Sequence, residues 1–278
     1  LSVAPRRSRI VDNEEKARMN HISKSFVSSD GRAYKSHSWE LREGGYRRAA
    51  LLVGNGLWPA GKETRLVTFL IDRGFRVISL ELAFGGADSP RVGLRAFREA
   101  ISSFARKEAR PGIPLYLIAS SFSAGALLPA AKGIEGLAAM ALIAPVVEYP
   151  PPRLRVPVFF LPAAELAAKR EDVSGSPELL EGLADGPLRL SFHKRDLKAA
   201  AAEIAAALEG RLDPPAAAFA GEDDPYLSKA GRDALARAGA RVYSYPRVKR
   251  EPAHDRYADN FFADLGSYLD EVEAGRAR

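Results

Sequence analysis

The segment Leu115-Tyr-Leu-Ile-Ala-Ser-Ser121-Phe-Ser123-Ala-Gly125-Ala-Leu-Leu carries the sharpest chemical signal in the chain. It runs from an apolar strand through a small-x-Ser-x-small window centred on Ser123 into a helix. A serine at such a sharp turn is held in a strained conformation with its hydroxyl above the sheet, the form of a nucleophile elbow. Small neighbours, here Ser121 and Gly125, let the turn close, with Ser121 standing where glycine is commoner. The amide of Ala124, at the start of the following helix, is then aimed at the oxyanion that grows when a carbonyl is attacked. Ser123 is the candidate nucleophile; the competing reading is a serine-rich turn without chemistry.

A serine hydroxyl needs a base to take its proton and an acid to orient that base. Both follow Ser123, in the order Ser, Asp, His expected after an elbow of this kind. Pro215 to Ala220 reads as a late strand leading into Gly221-Glu222-Asp223-Asp224-Pro225. Asp224, before a proline turn, is the candidate acid, with Asp223 and Glu222 open as alternatives. His254, in Arg250-Glu-Pro-Ala-His254-Asp255, lies between the last strand and the closing helix and is the candidate base. His21, His37 and His193 fall elsewhere, in the opening hairpin and in an insertion. After the first parallel strand, Val53-Gly54-Asn55-Gly56-Leu57-Trp58 lets the backbone approach a substrate, so the amide of Leu57, or alternatively Gly56, supplies a second oxyanion donor. The same loop lacks the third glycine and the downstream acidic residue of a dinucleotide fingerprint, which excludes that use.

The elements that must position these groups follow from hydrophobic periodicity. His21 to Val27 and Ala33 to Leu41, joined across Asp30-Gly31, predict an antiparallel hairpin. Strands are then predicted over 49–53, 75–82, 115–119 and 138–143, and helices over 62–73, 94–107 and 124–131. Alternation resumes with a strand over 216–220, a helix over 229–238, a strand over 240–245 and a helix over 258–271. Such alternation implies a mainly parallel central sheet with helices on both faces. Residues 20–147 and 213–278 form the expected core, and 148–212 a cap insertion over the strand ends, helical at 179–183 and 197–208. Residues 1–19 are expected to be an extension outside the fold.

Composition narrows the chemistry further. The absence of cysteine removes disulfides, thiolate metal sites and a cysteine nucleophile, and the four histidines show no ligand spacing. No metal or cofactor is required. The net charge of +6 is spread among acidic residues, which argues against a nucleic-acid partner. Neither a signal-peptide core nor a membrane span is found in the sequence, so a soluble, cytoplasmic protein is expected.

On these residues the chain resembles the α/β-hydrolase superfamily, and more narrowly the bacterial bioluminescence acyl-transferases. The similar stretches are Asp30-Gly-Arg to Trp39-Glu, Leu51 to Leu57, Arg73-Gly-Phe-Arg-Val-Ile and Leu117-Ile-Ala-Ser-Ser-Phe-Ser123-Ala, then Ala218 to Asp224 and His254 to Tyr268. Gly125 stands where the narrower group carries a bulkier residue. The resemblance implies covalent acyl transfer from an ester or thioester, with a fatty-acyl thioesterase as one form and an acidic acyl-carrier protein as partner. Basic residues near the cap, Arg153, Arg155, Lys169 and Arg170, would then steer the carrier. The rival readings are a short-chain carboxylesterase or peptidase using the same triad, and an inactive binding protein on the same fold.

Overall fold

A computed structural model describes residues 19–42, 45–54, 63–81, 93–148, 163–168 and 188–275. The chain opens on a hairpin of β1 (Met19–Val27) and β2 (Ala33–Leu41), turned at Gly31 with φ +80°, a backbone that glycine adopts without strain. There follow β3 (Arg48–Val53), α1 (Thr64–Asp72), β4 (Phe75–Glu81), α2 (Leu94–Glu108), β5 (Leu115–Ser120), α3 (Ser121–Leu127) and β6 (Leu137–Ile143). After β7 (Ala163–Ala168) and β8 (Leu188–His193) come α4 (Lys194–Glu209), β9 (Ala216–Gly221), α5 (Lys229–Arg237), β10 (Arg241–Tyr245) and α6 (Ala258–Glu273).

Eight strands form one sheet in the order β1-β2-β4-β3-β5-β6-β9-β10. From β4 to β10 every pairing is parallel, while β2 pairs antiparallel with both β1 and β4. The parallel strands read as near-continuous apolar runs because both of their faces are covered. Successive residues alternate between the two cores: Leu51, Val53, Leu117 and Ala119 face one side, and Leu52, Tyr116 and Ile118 the other. The first core is closed by Phe97, Ile101 and Phe104 of α2, Leu127 of α3, Ile204 of α4 and Leu235 of α5. The second is closed by Val67 and Leu70 of α1 and by Phe261, Leu265 and Tyr268 of α6.

Most expected elements fall within a residue or two of the observed ones, but three differences matter. β5 continues to Ser120 and α3 begins at Ser121, three residues earlier than periodicity indicates, because Ser120 still pairs with Ile143 of β6. The stretch expected as a helical cap includes an antiparallel pair, β7 with β8, forming a separate two-stranded sheet. Its final helix, α4, buries Ala200 and Ile204 in the first core, so core packing resumes before residue 213. The helix expected at 179–183 lies outside the described residues. Among the described residues no helix is long and apolar enough to cross a membrane.

The end of β9 is anchored by Phe219, fully buried against Tyr243, Phe261 and Tyr268 at ring-centroid distances of 4.9, 5.4 and 6.4 Å. Phe219→Ala is expected to lower the unfolding free energy by about 3–5 kcal/mol, as truncation of a buried aromatic does. Urea titration of the two proteins checks this.

Candidate active site

The strained residue at the strand-to-helix turn is Ser121, with φ 59°, and not Ser123. A side chain in this left-handed region persists only where the surroundings hold it. They do so from below: Val146 N–H donates to the Ser121 carbonyl at 3.0 Å, joining the turn to the chain after β6. The same segment passes so close to α3 that a Cβ on Gly125 would stand 1.8 Å from the Val146 carbonyl oxygen. Gly125 is therefore demanded by packing, whatever residue relatives carry there.

Ser123 occupies the third position of α3, wholly buried, with its hydroxyl donating to the Gly54 carbonyl at 2.7 Å. It ties the turn to the end of β3. Ala124 is correspondingly inside the helix and fully buried, and the amide that follows the strained residue is that of Phe122. Two small-x-Ser-x-small windows overlap here, 119–123 and 121–125, and the left-handed residue is the centre of the first. The strained residue directly follows the last paired residue of β5.

Asp224 lies just beyond the carboxyl end of β9 and is buried, whereas Glu222 and Asp223 are exposed. Its Oδ1 accepts from the Tyr226 N–H at 2.8 Å and from Nη1 of Arg250 at 3.4 Å. The other guanidinium nitrogen of Arg250, Nη2, donates to the Ser121 hydroxyl. Arg250 is only 3% exposed, and its guanidinium lies 4.4 Å over the Tyr226 ring. The loop after β10 delivers it by crossing the end of β9: a Cβ on Gly221 would meet the carbonyl oxygens of Val248 and Lys249 at 2.1 Å. Nothing in the sequence marks Arg250 beyond its place near His254, because a loop arginine ordinarily points to solvent.

His254 ends a 3-10 turn (Pro252–His254) ahead of α6, with its Nε2 3.7 Å from Oε2 of Glu63. Glu63 is the N-cap of α1 and is 3% exposed, and no feature of its sequence surroundings marked it. Burial works to lower the pKa of His254, but the facing carboxylate of Glu63, with the charge of Glu251, outweighs it and holds the imidazole above its ordinary value. Thus β5, β9 and the chain after β10 bring Ser121, Asp224, Arg250 and His254 to the carboxyl end of the sheet. The described ion pairs are Asp224 with Arg250 and Glu63 with His254. Leu57 and Gly56, expected as oxyanion donors, and Arg153, Arg155, Lys169 and Arg170, expected to meet a carrier protein, lie outside the described residues.

No family model matches the sequence, and no curated protein sequence matches it. Solved structures match in fold. A lipase in its open form superposes with a TM-score of 0.72 at 17% identity, over 91% of this chain and 99% of that one. A soluble variant of monoglyceride lipase from Saccharomyces cerevisiae, in complex with a substrate analog, gives 0.71 at 18% identity, over 90% and 94%. A thermostable carboxyl esterase from Bacillus coagulans, in complex with glycerol, gives 0.69 at 14% identity, over 91% and 98%. The shared architecture is the α/β-hydrolase fold, as the resemblance implied.

Because Arg250 is buried and permanently charged, removing the charge of Asp224 leaves a cation without compensation. Asp224→Asn is expected to destabilise the protein by about 3–5 kcal/mol. Asp224→Asn combined with Arg250→Gln should recover part of that loss, and thermal unfolding of the single and double variants measures it.

Proposed function

We propose that the protein is a serine hydrolase acting on an acyl ester, with Ser121 as nucleophile and His254 as base. The observation that carries this reading is the left-handed backbone of Ser121, φ 59°, at the turn from β5 into α3. At a turn from a strand directly into a helix, a left-handed non-glycine residue is the backbone form of a nucleophile elbow. The presence of a buried acid after β9 and a histidine after β10 at the same end of the sheet supports it. The choice of an ester is favoured by the fold neighbours, among them a lipase, a monoglyceride lipase and a carboxyl esterase.

In this mechanism the Ser121 oxygen attacks the ester carbonyl while its proton passes to His254. Arg250 cannot take that proton, since a guanidinium stays protonated in proteins. The oxyanion receives the Phe122 N–H, the amide next after the nucleophile, in place of the Ala124 amide expected from sequence. Collapse of the tetrahedral intermediate breaks the bond to the leaving alcohol, which takes the proton back from His254. Water, deprotonated by His254, then attacks the acyl-enzyme and frees the acid. A thioester would follow the same course with a thiol as leaving group.

A fluorophosphonate probe and a series of p-nitrophenyl esters of rising chain length test the assignment. The wild-type protein should be labelled at Ser121, and Ser121→Ala should lose label and turnover by several orders of magnitude. Ser123→Ala should keep turnover within about tenfold and lose about 1 kcal/mol of stability with its bond to Gly54. Loss of label in Ser123→Ala with retention in Ser121→Ala would overturn the choice of nucleophile.

A further inference from the structure

We propose that Glu63 is the carboxylate that positions His254, while Asp224 serves Arg250 instead. The inference rests on the reading of Ser121 and His254 as nucleophile and base, and concerns which acid orients that base. Glu63, Asp224, Arg250 and the part-buried His254 meet at this end of the sheet, beside a further buried carboxylate, Glu251, and burial favours a charge that faces its opposite. They pair as Glu63 with His254 at 3.7 Å and Asp224 with Arg250 at 3.4 Å. Asp224 also accepts the Tyr226 N–H, and the guanidinium it holds is stacked on the Tyr226 ring. Asp224 is thus already the counter-charge of Arg250, a cation at 3% exposure.

The remaining charges around His254 do not substitute for it. Glu251 precedes the 3-10 turn in the same segment and acts through its charge. Arg65, on α1, opposes the protonated form but is turned to Asp259 of α6 at 2.6 Å. Asp255 pairs with Arg256 at 3.8 Å. β9, which also packs against the turn, has no ionisable side chain. A carboxylate facing one ring nitrogen keeps the proton there and makes the other nitrogen the basic one, which is what a positioning acid contributes. Placed at the N-cap of α1, Glu63 makes this contribution from a different element than the strand end after β9.

The pH dependence of kcat/KM on a small neutral p-nitrophenyl ester separates the two carboxylates. Activity requires neutral His254, and Glu63 favours the protonated form, so the wild-type rate should rise with pH through a midpoint above the ordinary imidazole value of about 6.5. Glu63→Gln removes the group that opposes desolvation. Its acid limb should move to lower pH, its plateau should fall at least about tenfold, and Glu63→Asp should restore the limb toward wild type. Asp224→Asn, or Asp224→Asn with Arg250→Gln if the single variant does not fold, should leave the limb where it was, whatever it does to the rate. An unmoved limb in Glu63→Gln, or a moved one in the Asp224 variant, overturns the assignment. Fluorophosphonate labelling of wild-type Ser121 keeps the two readings apart. Label with an unmoved Glu63→Gln limb defeats the role of Glu63 alone; absence of label defeats the hydrolase reading and this inference with it.

Discussion

A guanidinium that cannot lose its charge is buried at the carboxyl end of this sheet, and much of the surrounding structure answers to it. Arg250 needs an anion, and Asp224 is buried to supply one. It needs a flat surface, and Tyr226 lies beneath it. To reach this position the chain after β10 must cross the end of β9, where Val248 and Lys249 carbonyls leave no room for any residue but Gly221. The aromatic cluster around Phe219 holds that strand end while the loop bears on it. One of the guanidinium nitrogens then reaches the Ser121 hydroxyl, so the constraint passes from β9 to β5.

At β5 a second constraint meets the first. The left-handed Ser121 is costly for a residue with a Cβ, and the cost is borne by contacts on three sides. Val146 bonds its carbonyl, the missing side chain of Gly125 lets α3 approach the same segment, and Ser123 fastens the turn to Gly54. The neighbouring Glu148 is bound in turn at the N-terminus of α5, where Ser228 donates to it through both N–H and hydroxyl, at 2.9 and 2.8 Å. The helix end favours that negative charge, so the chain leaving β6 is tied down both at the elbow and beyond it.

The remaining ion pair sets the balance of charge on the imidazole. Burial alone would make His254 less basic, yet Glu63, with Glu251, makes it more basic than a free imidazole. Burial and a facing carboxylate therefore act in opposite directions on one group, and the carboxylate prevails. The balance depends on α1 and the chain after β10 meeting at the same end of the sheet, two segments brought together only because β3 and β10 run in the same direction.

The alternation of apolar strands and amphipathic helices determined the architecture from sequence alone, because residues buried on both faces of a parallel strand leave an unmistakable apolar run. The hairpin at Asp30-Gly31, the elbow region, the acidic loop after β9 and the histidine before α6 were legible for the same local reasons. Which of Ser121 and Ser123 takes the strained turn was not. Both sit in acceptable windows, and the decision lies in how far β5 stays paired with β6 and where Val146 passes beneath α3. Arg250 and Glu63 were out of reach for a related reason. A charged residue in a loop or at a helix N-cap reads as solvated until the fold removes the water, and the partners that then hold it, 26 positions away for Arg250 with Asp224 and far more for Glu63 with His254, are set by tertiary packing alone.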